Sequence, residues 1–340
     1  ATPTVAGDRL YLMSGRGLVK CYGTAAGEAL WAFDFRTLFP APPEGGEPRR
    51  RRSAAPGPRF GYAEAVLVHG DRVICTPGAP GAWVIALDRE SGKVAWKYAG
   101  EGSFQPGYCA PVRFTFGGVE QVGINTVIGP MAFDPATGRR LWHVPHRFRN
   151  PATPLVHHEG WIFATSGYGR GALGVQLKKG KKGIEAVARW TGYALDNHHG
   201  GVVLHQGRIY GASHNGRKAA PGRRRPRRGG EKGPKGFPGH WVCLDLESGK
   251  MHYAEKGIGK GCLTYADGRL YCLSEHPLRG GVVALVEPTP KGYEIKGSFN
   301  LPAEGKDYYW AHPVVLDGRL HLRHKGTLYI YDVKQRPRSL

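Results

Sequence analysis

No two of the six cysteines are adjacent, and none forms C-x-x-C or C-x-x-C-H. Those absences remove the sequence support for a vicinal disulfide, a zinc site or a covalently held c-type haem. No apolar run approaches the ~18 residues of a membrane-spanning helix, and no window sustains a 3.6-residue period. A G-x-S-x-G nucleophile elbow is also missing. Acidic residues are scarce, 27 against 48 Lys and Arg, which leaves a formal charge of +21. The chain starts at Ala1 with no visible signal peptide, and this leaves open both its compartment and what precedes it.

What the chain has instead is 52 Gly, 26 Pro and 11% aromatics, a mixture suited to many short strands and tight turns. The positive charge is concentrated. PEGGEPRRRRSAAPGPR (43–59) and RKAAPGRRRPRRGGEKGPKGFP (217–238) together hold 11 of the 21 net charges and almost no large apolar residues. Such segments cannot bury enough surface to fold and read as basic Pro/Gly-rich loop insertions, able to contact anionic surfaces. No aromatics interleave their arginines and no recognition helix accompanies them, so specific nucleic-acid binding is not expected.

A repeat runs through the rest. CYGTAAGEALW (21–31), VIALDRESGKVAW (84–96), MAFDPATGRRLW (131–142) and VCLDLESGKMHY (242–253) share one pattern. Asp88, Asp134 or Asp245 (Gly23 in the first copy) is followed four residues on by Gly27, Gly92, Gly138 or Gly249. Four more residues bring Trp31, Trp96, Trp142 or Tyr253. The Asp fits a turn, its carboxylate accepting from N–H groups two or three residues on, and the Gly supplies positive φ. The Trp is a flat side chain able to wedge between neighbouring units.

Each unit also has an earlier half, an apolar hairpin turning on D-G, Q-G or a similar pair. Seven such hairpins are visible: 2–15, 63–78, 110–126, 153–167, 200–213, 262–275 and 312–326. Four antiparallel strands per unit, repeated seven times, predict an all-β, single-domain β-propeller over 1–340. The last unit stops before a Gly-x-x-x-Trp strand and the first begins abruptly, which predicts a ring that is incomplete or closes imperfectly.

The spacing Ala-x-Asp-x-x-x-Gly-x-x-x-Trp at 86–96 and 132–142 resembles the tryptophan-docking repeat of the pyrroloquinoline quinone (PQQ)-like propellers. That superfamily includes quinoprotein alcohol dehydrogenases and the propeller lipoprotein of the outer-membrane barrel-assembly machinery. DNHHGGVVLHQGRIYG, GKGCLTYADGRLYCLSE and WAHPVVLDGRLHLRHKGTLYIYD resemble a planctomycete-type subgroup of that superfamily. The resemblance implies an eight-bladed ring truncated here at its N-terminus, and a periplasmic or otherwise exported location. It implies two functions: a non-catalytic binding or protein-interaction scaffold, or a divergent PQQ-dependent dehydrogenase. The dehydrogenases hold their quinone against a vicinal disulfide beside a calcium bound by carboxylates and an Asn. This chain lacks the adjacent cysteines, so the expectation is a scaffold with no cofactor, and PQQ with calcium is the alternative.

The candidate binding residues are those just before each inner strand: Glu64, Asn150, Asn197, His198, Lys260, Trp310 and His312. Together they would make a mixed polar pocket at one mouth of the ring, for a small molecule or a protein partner. The alternative is that they are ordinary strand-entry residues that meet water and backbone. No catalytic residue and no metal ligand is assigned. His198 and His199 are adjacent, and on an extended strand only one could face such a mouth. GRGALG (169–174) matches G-x-G-x-x-G but is followed by VQLKKGKKG, which is no helix, so a dinucleotide site is not expected.

Overall fold

The computed structural model describes residues 2–39, 58, 60–100, 107–181, 183–214, 239–276, 281–302 and 307–334. The basic segments 43–59 and 217–238 lie, but for Pro58, outside the described residues. Two compact units are present: unit 1 is Ala1–Ala164 with Gln176–Val187, and unit 2 is Thr165–Val175 with Ala188–Leu340. No helix of the described residues is long and apolar enough to cross a membrane.

Among the described residues the strands form seven antiparallel sheets in chain order. Sheet 1 is β1 (Thr4–Ala6), β2 (Arg9–Met13), β3 (Leu18–Gly23) and β4 (Ala29–Asp34). Sheet 2 is β5 (Leu67–His69), β6 (Arg72–Cys75), β7 (Val84–Asp88) and β8 (Val94–Tyr98). Sheet 3 is β9 (Val112–Phe116), β10 (Val119–Thr126), β11 (Gly129–Phe133) and β12 (Arg140–His143). Sheet 4, whose residues are divided between the units, is β13 (Val156–His158), β14 (Trp161–Ser166), β15 (Gly171–Gly180) and β16 (Gly183–Gly192). Sheet 5 is β17 (Val202–His205), β18 (Arg208–Ala212), β19 (Trp241–Asp245) and β20 (Met251–Glu255). Sheet 6 is β21 (Gly261–Ala266), β22 (Arg269–Ser274), β23 (Val282–Glu287) and β24 (Glu294–Asn300). Sheet 7 has three strands among the described residues, β25 (Val314–Leu316), β26 (Arg319–His324) and β27 (Thr327–Asp332). Successive meanders of this kind are the blades of a β-propeller.

The middle strands carry the long apolar buried runs because both their faces are covered. In unit 1, Val73 and Cys75 of β6 face one core with Tyr11, Val19 and Cys21, while Ile74 between them faces another with Val122, Ile124 and Met131. In unit 2, Leu270 and Cys272 of β22 pack with Tyr210, Trp241 and Cys243, whereas Tyr271 and Leu273 pack with Leu320 and Leu322. Period-two alternation thus serves two cores at once. A fully buried Leu or Ile in such a layer contributes about 1.5–3 kcal/mol. All six cysteines are free and buried.

The repeated turn is built the same way wherever its sequence recurs. Asp88 Oδ1 accepts from the Ser91 N–H and hydroxyl at 2.8 and 2.7 Å, and Asp245 does the same with Ser248. Asp134 accepts from the N–H groups of Ala136 and Thr137. Gly27, Gly92, Gly138 and Gly249 all have φ near +70°, between 68° and 73°. One extra residue, Leu30, Ala95, Leu141 or His252, then bulges just before the aromatic, which pairs with Cys21, Ala86, Ala132 or Cys243.

Trp31 donates from Nε1 to the carbonyl of Arg89 (3.0 Å) in the turn of the following sheet, and its ring covers Gly92. Trp96 repeats this contact on Pro135 and Gly138, and Trp190 of β16 on Leu246 and Gly249. Trp142 instead donates to Gln121 Oε1 (2.6 Å) within its own sheet. The β15–β16 hairpin that follows it has no Asp-x-x-x-Gly turn.

A methyl group at Gly138 would lie 2.4 Å from the Trp96 ring, while at Gly27, with almost the same φ, it would meet nothing within 4 Å. Gly27→Ala should therefore cost only the left-handed strain, about 1–2 kcal/mol. Gly138→Ala should cost clearly more, read as a larger drop in denaturation midpoint. Equal losses would mean that the ring contact contributes nothing.

Candidate functional site

In sheet 6 the residue before the first strand and the residue after the second lie side by side, because the hairpin pairs its two ends. Gly261 pairs with Ser274, so Lys260 and Glu275 are neighbours, and the Glu275 N–H donates to the Lys260 carbonyl. In unit 2 this geometry gathers residues from four successive sheets into one polar and aromatic cluster.

Its frame is backbone. Asp196 is buried and accepts the N–H groups of Gly169, Arg170 and Gly171, each at 2.9 Å, which fixes the turn after β14. GRGALG thus runs from a turn directly into β15. Asn197 donates from Nδ2 to the carbonyls of Gly201 and Ala212, both at 2.9 Å. His214 N–H donates to the Asp196 carbonyl. Within this frame Tyr168 takes a left-handed φ of 67° and places its hydroxyl 2.9 Å from His198 Nε2.

Four rings crowd together there. His198 lies 4.5 Å from His199, 4.6 Å from His214 and 4.8 Å from Tyr168. Strand alternation would have separated His198 from His199, and that expectation is corrected: both residues sit in a bend before β17, where alternation does not apply. Burial pushes the His198 imidazole down to about 3, with help from His199, Lys260 and His214. Burial likewise brings His214 down to about 4. Both rings are neutral at ordinary pH.

An ion pair adjoins the rings. Lys260 Nζ reaches both carboxylate oxygens of Glu275, at 2.6 and 2.7 Å, and His199 Nε2 lies 3.1 Å from Oε2. Burial opposes the Glu275 charge, but His199 and Lys260 outweigh it and hold the carboxyl at about 2. The Tyr309 N–H donates to the Glu275 carbonyl, tying the segment before β25 to the cluster. In that extended segment Tyr309 is buried on His324, while Tyr308 and Trp310 point outward, 52% and 58% exposed. Their rings stack at 5.6 Å and 25°, Trp310 touches His199 at 5.3 Å, and His312 Nε2 bonds to the His199 carbonyl.

Of the residues singled out from sequence, His198, Lys260, Trp310 and His312 join this cluster and Asn197 holds its backbone. Glu64 and Asn150 belong to unit 1. Glu64 is 2% exposed and accepts from the N–H and hydroxyl of Thr76, and burial raises its carboxyl to about 7. Asn150 takes a left-handed φ of 49° immediately before Pro151. Tyr168, His214, Glu275 and Tyr308 escaped the sequence reading, and His199 was weighed with His198 and not selected. The signal for His214 and Glu275 was available, since each follows the second strand of a recognised hairpin.

The donors of a PQQ–calcium site do not fit these residues. All six thiols are separate and buried, and among the described residues no three His, Cys, Asp or Glu side chains are placed to hold a metal.

A family model described as "Outer membrane protein assembly factor BamB" matches residues 1–250. The chain belongs to this family of PQQ-like repeat propellers. BamB from Moraxella catarrhalis superposes with a TM-score of 0.62 at 15% identity, over 96% of this chain and 82% of that one. Quinohemoprotein alcohol dehydrogenase from Comamonas testosteroni superposes at 0.56 and 14% identity, over 98% of this chain and 65% of that one. A europium-containing methanol dehydrogenase gives 0.53 and 13%, over 97% and 76%. No curated protein matches the sequence significantly. At these identities the structural neighbours share the fold, and that alone.

The depressed imidazoles make a pH prediction. Unfolded histidine titrates near ~6.5, so below that pH the unfolded chain takes up protons that folded His198 and His214 refuse. Their contribution to stability is full above about pH 6.5 and is lost as pH falls toward their folded values. The unfolding midpoint of the wild type should fall more steeply from pH 7 to pH 5 than that of a His198→Phe, His214→Phe double variant. Parallel curves would show that the rings titrate normally.

Proposed function

We propose that this chain is a non-catalytic, exported binding scaffold whose contact surface is the unit-2 cluster. The observation that carries this reading is the exposed Tyr308–Trp310 stack beside the His199 ring and the Lys260–Glu275 pair. Large aromatic side chains left in water next to ordered polar groups are the composition of recognition surfaces. The segment that carries them is braced by the His312 ring and the Tyr309 N–H, which donate to the His199 and Glu275 carbonyls, and this lowers the ordering cost of binding. Membership of a family described as an outer-membrane assembly factor supports both export and a role in interaction. The mismatch between PQQ–calcium chemistry and the residues present favours the scaffold over a dehydrogenase.

The test is a photoreactive diazirine residue placed at position 308 and irradiated in cells of the native host. A scaffold should give discrete adducts there that the same residue at exposed Ile295 does not. Identical patterns at both positions, or saturable PQQ-dependent dye reduction by the purified protein, would overturn the proposal.

A further inference from the structure

The cluster's charges and hydrogen-bonding groups narrow what it can hold. The chain carries +21, yet among the described residues Lys260 and Lys325, the lysines nearest the aromatic stack, are each paired with a carboxylate. Lys260 is paired with Glu275, and Lys325 Nζ lies 2.6 Å from the carboxylate of Asp307, the residue before Tyr308. An anionic ligand would need an uncompensated cation, and a cationic ligand would have to compete with Lys260 for a carboxylate already bound through both oxygens. His198 and His214 add no charge.

The hydrogen-bonding groups remain. An ammonium has three donors and a carboxylate about four acceptor sites. Two of the donors of Lys260 and three of the sites of Glu275 are occupied by each other and by His199. By that count the pair, whose side chains are 10% and 13% exposed, keeps one donor and one acceptor, a combination that two neighbouring hydroxyl groups can satisfy. Beyond them, reached through the His199 ring, lies a nearly parallel pair of aromatic faces rather than a V-shaped groove. The electron-rich face of such a ring attracts weakly positive C–H groups, and a sugar ring presents a flat face of them.

We propose that the Tyr308–Trp310 face, with Lys260 and Glu275 linked to it through His199, binds an uncharged sugar ring of a neutral glycan; the inference rests on the unit-2 cluster being a binding surface. The outer face of the Tyr308–Trp310 stack supplies the platform, and the ion pair hydrogen-bonds adjacent hydroxyls. Ionic steering plays no part, so the interaction is weak for one ring and grows with the number of rings seated.

The full chain is titrated by calorimetry with maltohexaose, cellohexaose and the hexamer of N-acetylglucosamine, with dextran sulfate and a proline-rich peptide as competing chemistries. At least one neutral oligosaccharide should bind saturably, with an affinity that about 0.5 M salt leaves unchanged. Trp310→Ala should weaken it roughly tenfold or more, and Lys260→Met should weaken it with the platform intact. Circular dichroism and the unfolding midpoint of Trp310→Ala check that its fold is kept. The eight tryptophans give a second readout, because any ligand-induced fluorescence change should vanish in Trp310→Ala. Binding of dextran sulfate or the peptide alone, or of no probe, would overturn the sugar assignment. In that case discrete protein adducts from position 308 would leave the scaffold reading standing, whereas failure of both experiments would remove the two together.

Discussion

The contact on which the repeats depend is an indole lying flat on a glycine. Trp31, Trp96 and Trp190 each reach out of the fourth strand of one sheet, cover a glycine in the next sheet's turn and donate to a carbonyl beside it. The glycine is constrained twice: its φ is left-handed, and the ring occupies the space of any Cβ. The Asp carboxylate that closes the same turn holds the carbonyl and the glycine in place for the ring. One local motif therefore both ends a hairpin and fixes the position of the sheet before it. A four-stranded sheet with two apolar faces cannot stand alone in water, and this contact is what brings its neighbour to the right place.

Much of this was legible in the sequence, for a physical reason. Turn glycines and the residues that tolerate positive φ are chemically distinctive, so the D-G and Q-G hairpins and the Asp-x-x-x-Gly turns mark their own places. Trp190 was missed because the β15–β16 hairpin uses two ten-residue strands and lacks that turn. Spacing from a motif cannot locate a residue whose motif is absent. Trp142 has the spacing but finds Gln121, since the following turn offers it no glycine of the same kind.

The candidate site was legible by half. Lys260, His198, Trp310 and His312 precede first strands and could be ranked by position alone. Glu275 and His214 follow second strands, and only the hairpin register brings them beside the others. Tyr168 depends on a left-handed residue in a glycine-rich turn, which no alternation rule anticipates. His199 was set aside by a rule for extended strands applied to a bend. Sequence patterns thus located the elements, and the chemistry at their ends came from how those ends are paired.

The bulge that precedes each repeat aromatic sets the phase of the whole unit. Because strand side chains alternate, removing Leu30, Ala95, Leu141 or His252 would turn the rest of its strand inside out and carry the aromatic to the wrong face. Chain length in these repeats is therefore rationed by location. The long insertions fall elsewhere, in the connections from β4 to β5 and from β18 to β19, and none falls between a bulge and its turn. These units thus have one end where the long insertions fall and one where a single gain or loss shifts everything after it.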